Sequence, residues 1–172
     1  TIRTKIALPE NEVLIQMHQL VMSMADDALR NGKHQERVMD ASGKRILQIS
    51  RNACRVITSC AYAYRITGER RYLDFAEEEL VQVCSFSDWN ENHFLDVGEM
   101  AISVSLGYDW LYDWLDKGDR ELIRNAIMEH GFTAILNDFD GKTTRSSADT
   151  LMTRSYAWDK PGNVNNWRFV GG

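Results

Sequence analysis

Apolar residues recur along most of this chain at spacings of three and four, the period of a helix that buries one face. Leu14, Met17, Val21, Met24 and Ala28 give such a stripe over residues 11–31, and Gly32 stands where a left-handed C′ residue would end the helix. Over residues 44–66, Ile46, Ile49, Ala53, Ile57, Cys60, Ala61 and Tyr64 share one face, Arg51, Arg55, Ser59 and Tyr62 lie on another, and Thr67-Gly68 closes the segment. Tyr72, Phe75, Ala76, Leu80, Val83 and Cys84 mark a third helix with Asp74, Glu77 and Glu78 turned outward. The fourth, from Phe94 to Leu115, is apolar nearly all round: Leu95, Val97, Met100, Ala101, Ile102, Val104, Leu106, Trp110, Leu111 and Trp114 overfill a stripe of about 100°, which predicts a helix enclosed by others. Asp116 with Asp119 three residues on predicts an N-cap for a fifth helix, whose stripe is Leu122, Ile123, Ala126, Ile127 and His130, running on toward Leu136.

After Asp138 the period lapses, and Gly141, Thr143, Thr144, Ser146 and Ser147 lead into a long polar segment, residues 140–172. Structureless loops longer than about 12–15 residues are usually functional or disordered. Long helices, short turns and no alternating strand pattern predict an all-α domain of antiparallel helix hairpins spanning residues 1–172, without a clear repeat signature.

Charge and cysteine content narrow the partners. With 25 acidic and 20 basic residues the formal net charge is −5, which argues against nucleic-acid binding. Asp96, Glu99, Asp109 and Asp113 interrupt the longest apolar run, leaving nothing near the roughly 20 residues that a bilayer requires, so no membrane partner is expected. The start TIRTKIALPENE has no apolar signal core, and targeting is not legible from it. A polyanionic ligand would need a basic cluster; Arg145, Arg154, Lys160 and Arg168 could form one or be scattered solvated charges. Cys54, Cys60 and Cys84 fit no ligand or CxxC spacing and read as buried thiols, so neither a metal nor a cofactor is implied.

The candidate chemistry gathers before the fourth helix. Asp88, Trp89, Asn90, Asn92 and His93 are residue types that stack on sugars and hydrogen-bond to them. Trp89 and His93 are candidates to line a sugar cleft with Asn90, Trp89 having a second reading as a plug between helices. Tyr108 and Asp109 either face such a cleft or make a buried hydrogen bond, and Glu99 reads as an orienting partner for a neighbouring Arg or amide. His18, His34 and His130 carry no motif.

The run DWNENHFLDVGEMAISVSLGYDWLYDWLDKGDRELIRNAI, followed by WDKPGNVNNW, resembles the helical domain of heparinase II/III-like and oligoalginate-lyase-like polysaccharide lyases over residues 61–167. The resemblance implies an (α/α) toroid whose inner helices line a cleft, the enclosed fourth helix among them. It also implies a periplasmic or secreted enzyme acting on an acidic polysaccharide or oligosaccharide. Such toroids have more hairpins than this chain holds, and a C-terminal β-sandwich, so the chain is expected to be an N-terminal part of a longer protein.

These lyases remove the C5 proton of a uronic acid and expel the C4 oxygen. One group must neutralise the carboxylate, one accept the proton and one protonate the leaving oxygen. The resemblance places carboxylate neutralisation at Asn165 and Asn166, with Trp167 beside them, in a loop shaped by Pro161, Gly162 and Asn163. From the residues alone the two asparagines could equally cap a following helix. Arg168, Phe169 and Val170 depart from the Asn and VC-type pair usual in the family. The family's proton-transferring Tyr lies beyond the last residue, and nothing around Tyr156 promotes it to that role, so these residues alone are expected to bind weakly and catalyse little. Two alternatives stay open: a toroid glycoside hydrolase, which needs two carboxylates across the cleft, and a non-catalytic carbohydrate-binding helical domain.

Overall fold

A computed structural model describes residues 2–8, 10–134 and 136. Within them the chain is all-α, with helices α1 (Ile2–Ile6), α2 (Glu12–Asn31), α3 (Leu47–Thr67), α4 (Arg70–Cys84), α5 (Phe94–Leu111) and α6 (Lys117–Ala126), then a π-helical turn over Ile127–Thr133. The polar segment 140–172, with Arg145, Arg154, Tyr156, Lys160, Asn165, Asn166, Trp167 and Arg168, lies outside the described residues.

The ends of these helices follow from local chemistry. Gly32 (φ 58°) and Gly68 (φ 77°) take the left-handed conformation that residues with a Cβ resist, and their amides close on the carbonyls of Ala28 and Tyr64. Asp116 Oδ1 accepts the Asp119 amide at 2.9 Å, capping α6 as the sequence predicts.

Cross-helix pairs fix the directions. His18 meets Tyr62, so α2 runs against α3. Ser50 bonds Asp96 near the starts of α3 and α5, and Arg65 bonds Trp110 near their ends, so those two are parallel. Tyr72 at the start of α4 donates to Asp26, and His34 just past α2 meets Glu79, which makes α2 and α4 parallel. The described helices thus alternate between two layers, α3 with α5 against α2 with α4, and α6 packs on α4. All N-terminal ends of the α3/α5 layer lie together.

The core is built from Ala53, Ile57 and Cys60 of α3, Leu73, Leu80 and Val83 of α4, Val97, Met100 and Val104 of α5, and Ile123 of α6. Burial pushes the Cys60 and Cys84 thiols up to about 12, so both stay protonated as small hydrophobes, whereas Cys54 is only half-buried. The α5 helix is less enclosed than its composition predicts. Ile102, Ser105 and Asp109 form an exposed strip, because the small and polar side chains at 105 and 109 leave that face solvated, and the helix ends at Leu111 rather than Leu115. Trp114 is 43% exposed and meets Tyr64 edge-on. No described helix is long and apolar enough to cross a membrane.

Gly107 lets α5 approach α3 and α4, since a Cβ there would run into Ile57 Cγ2 and the Leu80 methyls. Gly107→Ala is therefore expected to cost about 1–3 kcal/mol of overpacking, more than the ~1 kcal/mol that Ala adds in helix propensity, because the β-branched Ile57 cannot move its Cγ2 aside without shifting the whole side chain. A lowered urea midpoint checks this; an unchanged or raised one would mean that Ile57 and Leu80 yield.

Candidate functional site

Two irregular segments meet at the common N-terminal end of α3 and α5: the strap 33–46 that follows α2, and the loop 85–93 that follows α4. Their junction is the carboxylate of Asp96, which is fully buried in the first turn of α5. Its Oδ2 accepts the Ile46 amide and the Asn90 side-chain amide, each at 2.7 Å, and its Oδ1 lies 2.7 Å from His93 Nδ1. A buried carboxylate without donors would be expensive; three of them replace its water.

Because an ionised carboxylate only accepts, the proton on the His93 ring is assigned to Nδ1. That leaves Nε2 without a hydrogen-bond partner among the described residues, on a side chain that is 16% exposed. The arrangement of a buried carboxylate orienting an imidazole, with the far nitrogen open, suits a group that accepts or delivers a proton or contacts an anionic ligand.

Asn90 is part of the support. It is the one described non-glycine residue with positive φ, 62°, a region that asparagine tolerates better than most, and it is 2% exposed. Its amide group also donates to Lys44 O at 2.9 Å, and its backbone N–H to Asp88 Oδ1 at 2.8 Å. Partial burial pushes the Asp88 carboxyl up, but the Arg37 guanidinium at 2.5 Å, the Asn90 amide and the Ser87 hydroxyl together hold it below the usual range. Beside this cluster Arg51 forks onto both oxygens of Glu99 at 2.9–3.1 Å, the orienting pair expected for Glu99. A cleft of about 390 Å³ opens between strap and α3, lined by Val38, Met39, Asp40, Arg45, Ile46 and Arg51 among others.

The sequence-predicted residues divide. His93 and Asn90 come together on Asp96, His93 partly open and Asn90 enclosed as a scaffold. Trp89 is 1% exposed: its indole N–H donates to Val83 O at 3.0 Å, and its ring packs beside Gly131 and 5.6 Å from the His130 ring. It is the interhelix plug and presents no face on which a sugar could stack. Tyr108 is half-buried and edge-on to Tyr112, about 22 Å along the helix from His93 at the 1.5 Å rise per residue, so it does not belong to the same cluster. Asn165, Asn166 and Trp167 lie outside the described residues.

Asp96, Arg51, Arg37 and the His34–Glu79 contact were not singled out as site residues by their sequence context, since each depends on a partner some 45–51 positions away. The one local signal is Asp96 three residues after His93, a helix-like spacing that brings their side chains together. No protein-family model matches the chain, and no curated protein matches it.

Proposed function

We propose that this is the helical domain of a polysaccharide lyase that cleaves uronic-acid-containing glycans, heparin- or heparan-like or alginate, by β-elimination. The observation that carries the reading is the His93–Asp96 pair at the N-terminal end of the α3/α5 layer, placed there by the DWNENHFLDVGEM segment through which the sequence resembles such lyases. The alternation of antiparallel helices in two layers is compatible with part of an (α/α) toroid.

In this reading the side-chain amides of Asn165 and Asn166 donate to the uronate carboxylate and strengthen their hold as charge accumulates on it, which acidifies C5. The C5–H bond breaks to a base, the C4–C5 double bond forms, and the C4 oxygen leaves with a proton. His93, with Nε2 open, contacts the substrate at the described end of the site, and Trp167 lies beside the two amides in sequence. Trp89 drops out of the binding set because its ring is in the core. A lyase of this kind also uses further toroid hairpins, a β-sandwich and a proton-transferring Tyr, in a periplasmic or secreted protein.

A hydrolase would need two available carboxylates facing each other. At this end of the described structure Asp88, Asp96 and Glu99 are each engaged by donors, while Glu36 of the strap and Glu91 of the loop are exposed.

Asn166→Ala in the protein that carries this domain is expected to abolish formation of unsaturated uronate while leaving oligosaccharide binding nearly intact, because the amide acts mainly on the developing charge and its loss appears in kcat. Asn165→Ala is expected to be milder. Wild-type turnover by Asn166→Ala on a substrate that the parent cleaves would return the two asparagines to helix capping.

A further inference from the structure

The strap is attached to the helices almost wholly by polar groups. His34 sits between two carboxylates, Nδ1 at 3.0 Å from Glu79 and Nε2 at 3.1 Å from Glu78, and the Gln35 amide donates to Glu79 at 3.1 Å. Arg37 donates to the side chain and the carbonyl of Asp88, at 2.5 and 3.2 Å. Farther along, Lys44 O accepts from Asn90, and Ile46 N–H reaches Asp96. Apolar anchoring is slight: the His34 ring lies 4.5 Å from that of Phe75, Val38 is exposed, and only Ile46, where α3 begins, is fully buried.

Between these anchors the strap carries a turn that holds its own shape. Asp40 accepts the Ser42 hydroxyl at 2.6 Å and the amides of Ser42, Lys44 and Arg45 at 3.1–3.4 Å, while its own amide closes on Arg45 O at 2.8 Å. Gly43, at φ 68°, supplies the left-handed residue that the turn needs. The segment is thus a preformed tip on a polar attachment, with Gly32 at one end and the start of α3 at the other.

The attachment is also imperfect in one place. Glu79 is fully buried, yet its Oε1 has no hydrogen-bond partner among the described residues. Burial raises its carboxyl above the ordinary range, and the Gln35 amide and His34 pull it back only in part. Closure of the strap over α4 therefore keeps a half-satisfied carboxylate away from water, a cost that opening relieves.

We infer that residues 33–45 form a lid, latched to α4 and the following loop by His34 and Arg37, that opens as a unit while the helices stay folded. Val38, Met39, Asp40 and Arg45 of the lid supply one wall of the 390 Å³ cleft, so the cleft exists only when the latch is closed. The Arg45 side chain, which lines the cleft, has no hydrogen-bond or ion-pair partner among the described residues, and closure brings its positive charge to the cleft. This inference does not depend on the lyase reading.

Amide hydrogen exchange on the full chain tests it, read at low and high salt. The Gln35, Ser42 and Arg45 amides are expected to exchange at least about tenfold faster than those of Ile57 and Val104, with the gap widening as salt screens the latch. Arg37→Gln, and separately His34→Gln, should accelerate the lid amides by about tenfold and leave the α3 and α5 amides within about twofold, with Arg37→Lys intermediate. Three results would each overturn the lid: lid and core amides exchanging together in the parent, either variant accelerating core and lid alike, or lid exchange that neither variant changes.

Discussion

Asp96→Ala is expected to lower the free energy of unfolding by about 3–5 kcal/mol, the usual consequence of removing one member of a buried hydrogen-bonded polar cluster. The substitution removes the acceptor of the Ile46 amide, of one Asn90 side-chain N–H and of His93 Nδ1, each bonded at 2.7 Å, with only His93 partly open to water. It also separates the three segments that the carboxylate joins, namely the end of the strap, the loop before α5 and the first turn of α5. Asp96→Asn should be less severe, since the remaining carbonyl can accept from one or two of the donors while its NH2 opposes the others. Chemical denaturation measures both. A loss below about 1 kcal/mol for the alanine variant would mean that the donors find other partners and that the carboxylate is not the junction described.

Trp89→Ala should be of similar size, about 3–5 kcal/mol, because a fully buried indole leaves a cavity that a loop and a π-helical turn cannot readily collapse. Trp89→Phe keeps most of the ring volume and loses the indole N–H bond to Val83 O, and is expected to cost only about 1 kcal/mol beyond the packing change. The pair separates two roles for this residue. If Trp89→Ala leaves the unfolding midpoint unchanged and instead weakens glycan binding, the indole is a stacking platform after all and its enclosure by Gly131 and His130 is not maintained in solution.

The helices were legible because burying one face of a helix imposes its own period on the sequence. Ile46 to Tyr64 and Tyr72 to Cys84 each trace one, whereas in α2 the packed face is Met22, Ala25, Ala28 and Leu29, and Met17 of the expected stripe is 58% exposed; Gly32, Gly68 and Asp116 mark ends through backbone preferences that need no tertiary information. The strap was hidden, and the start of α3 was read too early, at Lys44, because Ile46 continues the apolar stripe although its amide turns away to Asp96. Partnerships such as His34–Glu79, Arg37–Asp88 and Arg51–Glu99 span 45, 51 and 48 positions, and no local pattern encodes them.

Trp89 was ambiguous for a different reason. Its neighbours Asp88 and Asn90 are polar and suggest an open loop, but both are consumed by contacts to Arg37, Lys44 and Asp96 that draw the loop inward and drive the indole into the core. His93 kept its candidacy, because a carboxylate three residues on can orient an imidazole without burying it completely.

Elimination and hydrolysis leave different ends on a cleaved uronate chain. Elimination gives a C4–C5 double bond on the new non-reducing end, which absorbs in the ultraviolet and makes that fragment one water lighter than its hydrolytic counterpart. Mass spectrometry of the oligosaccharides released by the protein that carries this domain, offered alginate and heparan-type chains separately, should find the lighter, unsaturated fragments from at least one of them. Saturated fragments would contradict the proposal in favour of a hydrolase, and binding to either polymer with no cleavage would contradict it in favour of a non-catalytic carbohydrate-binding domain.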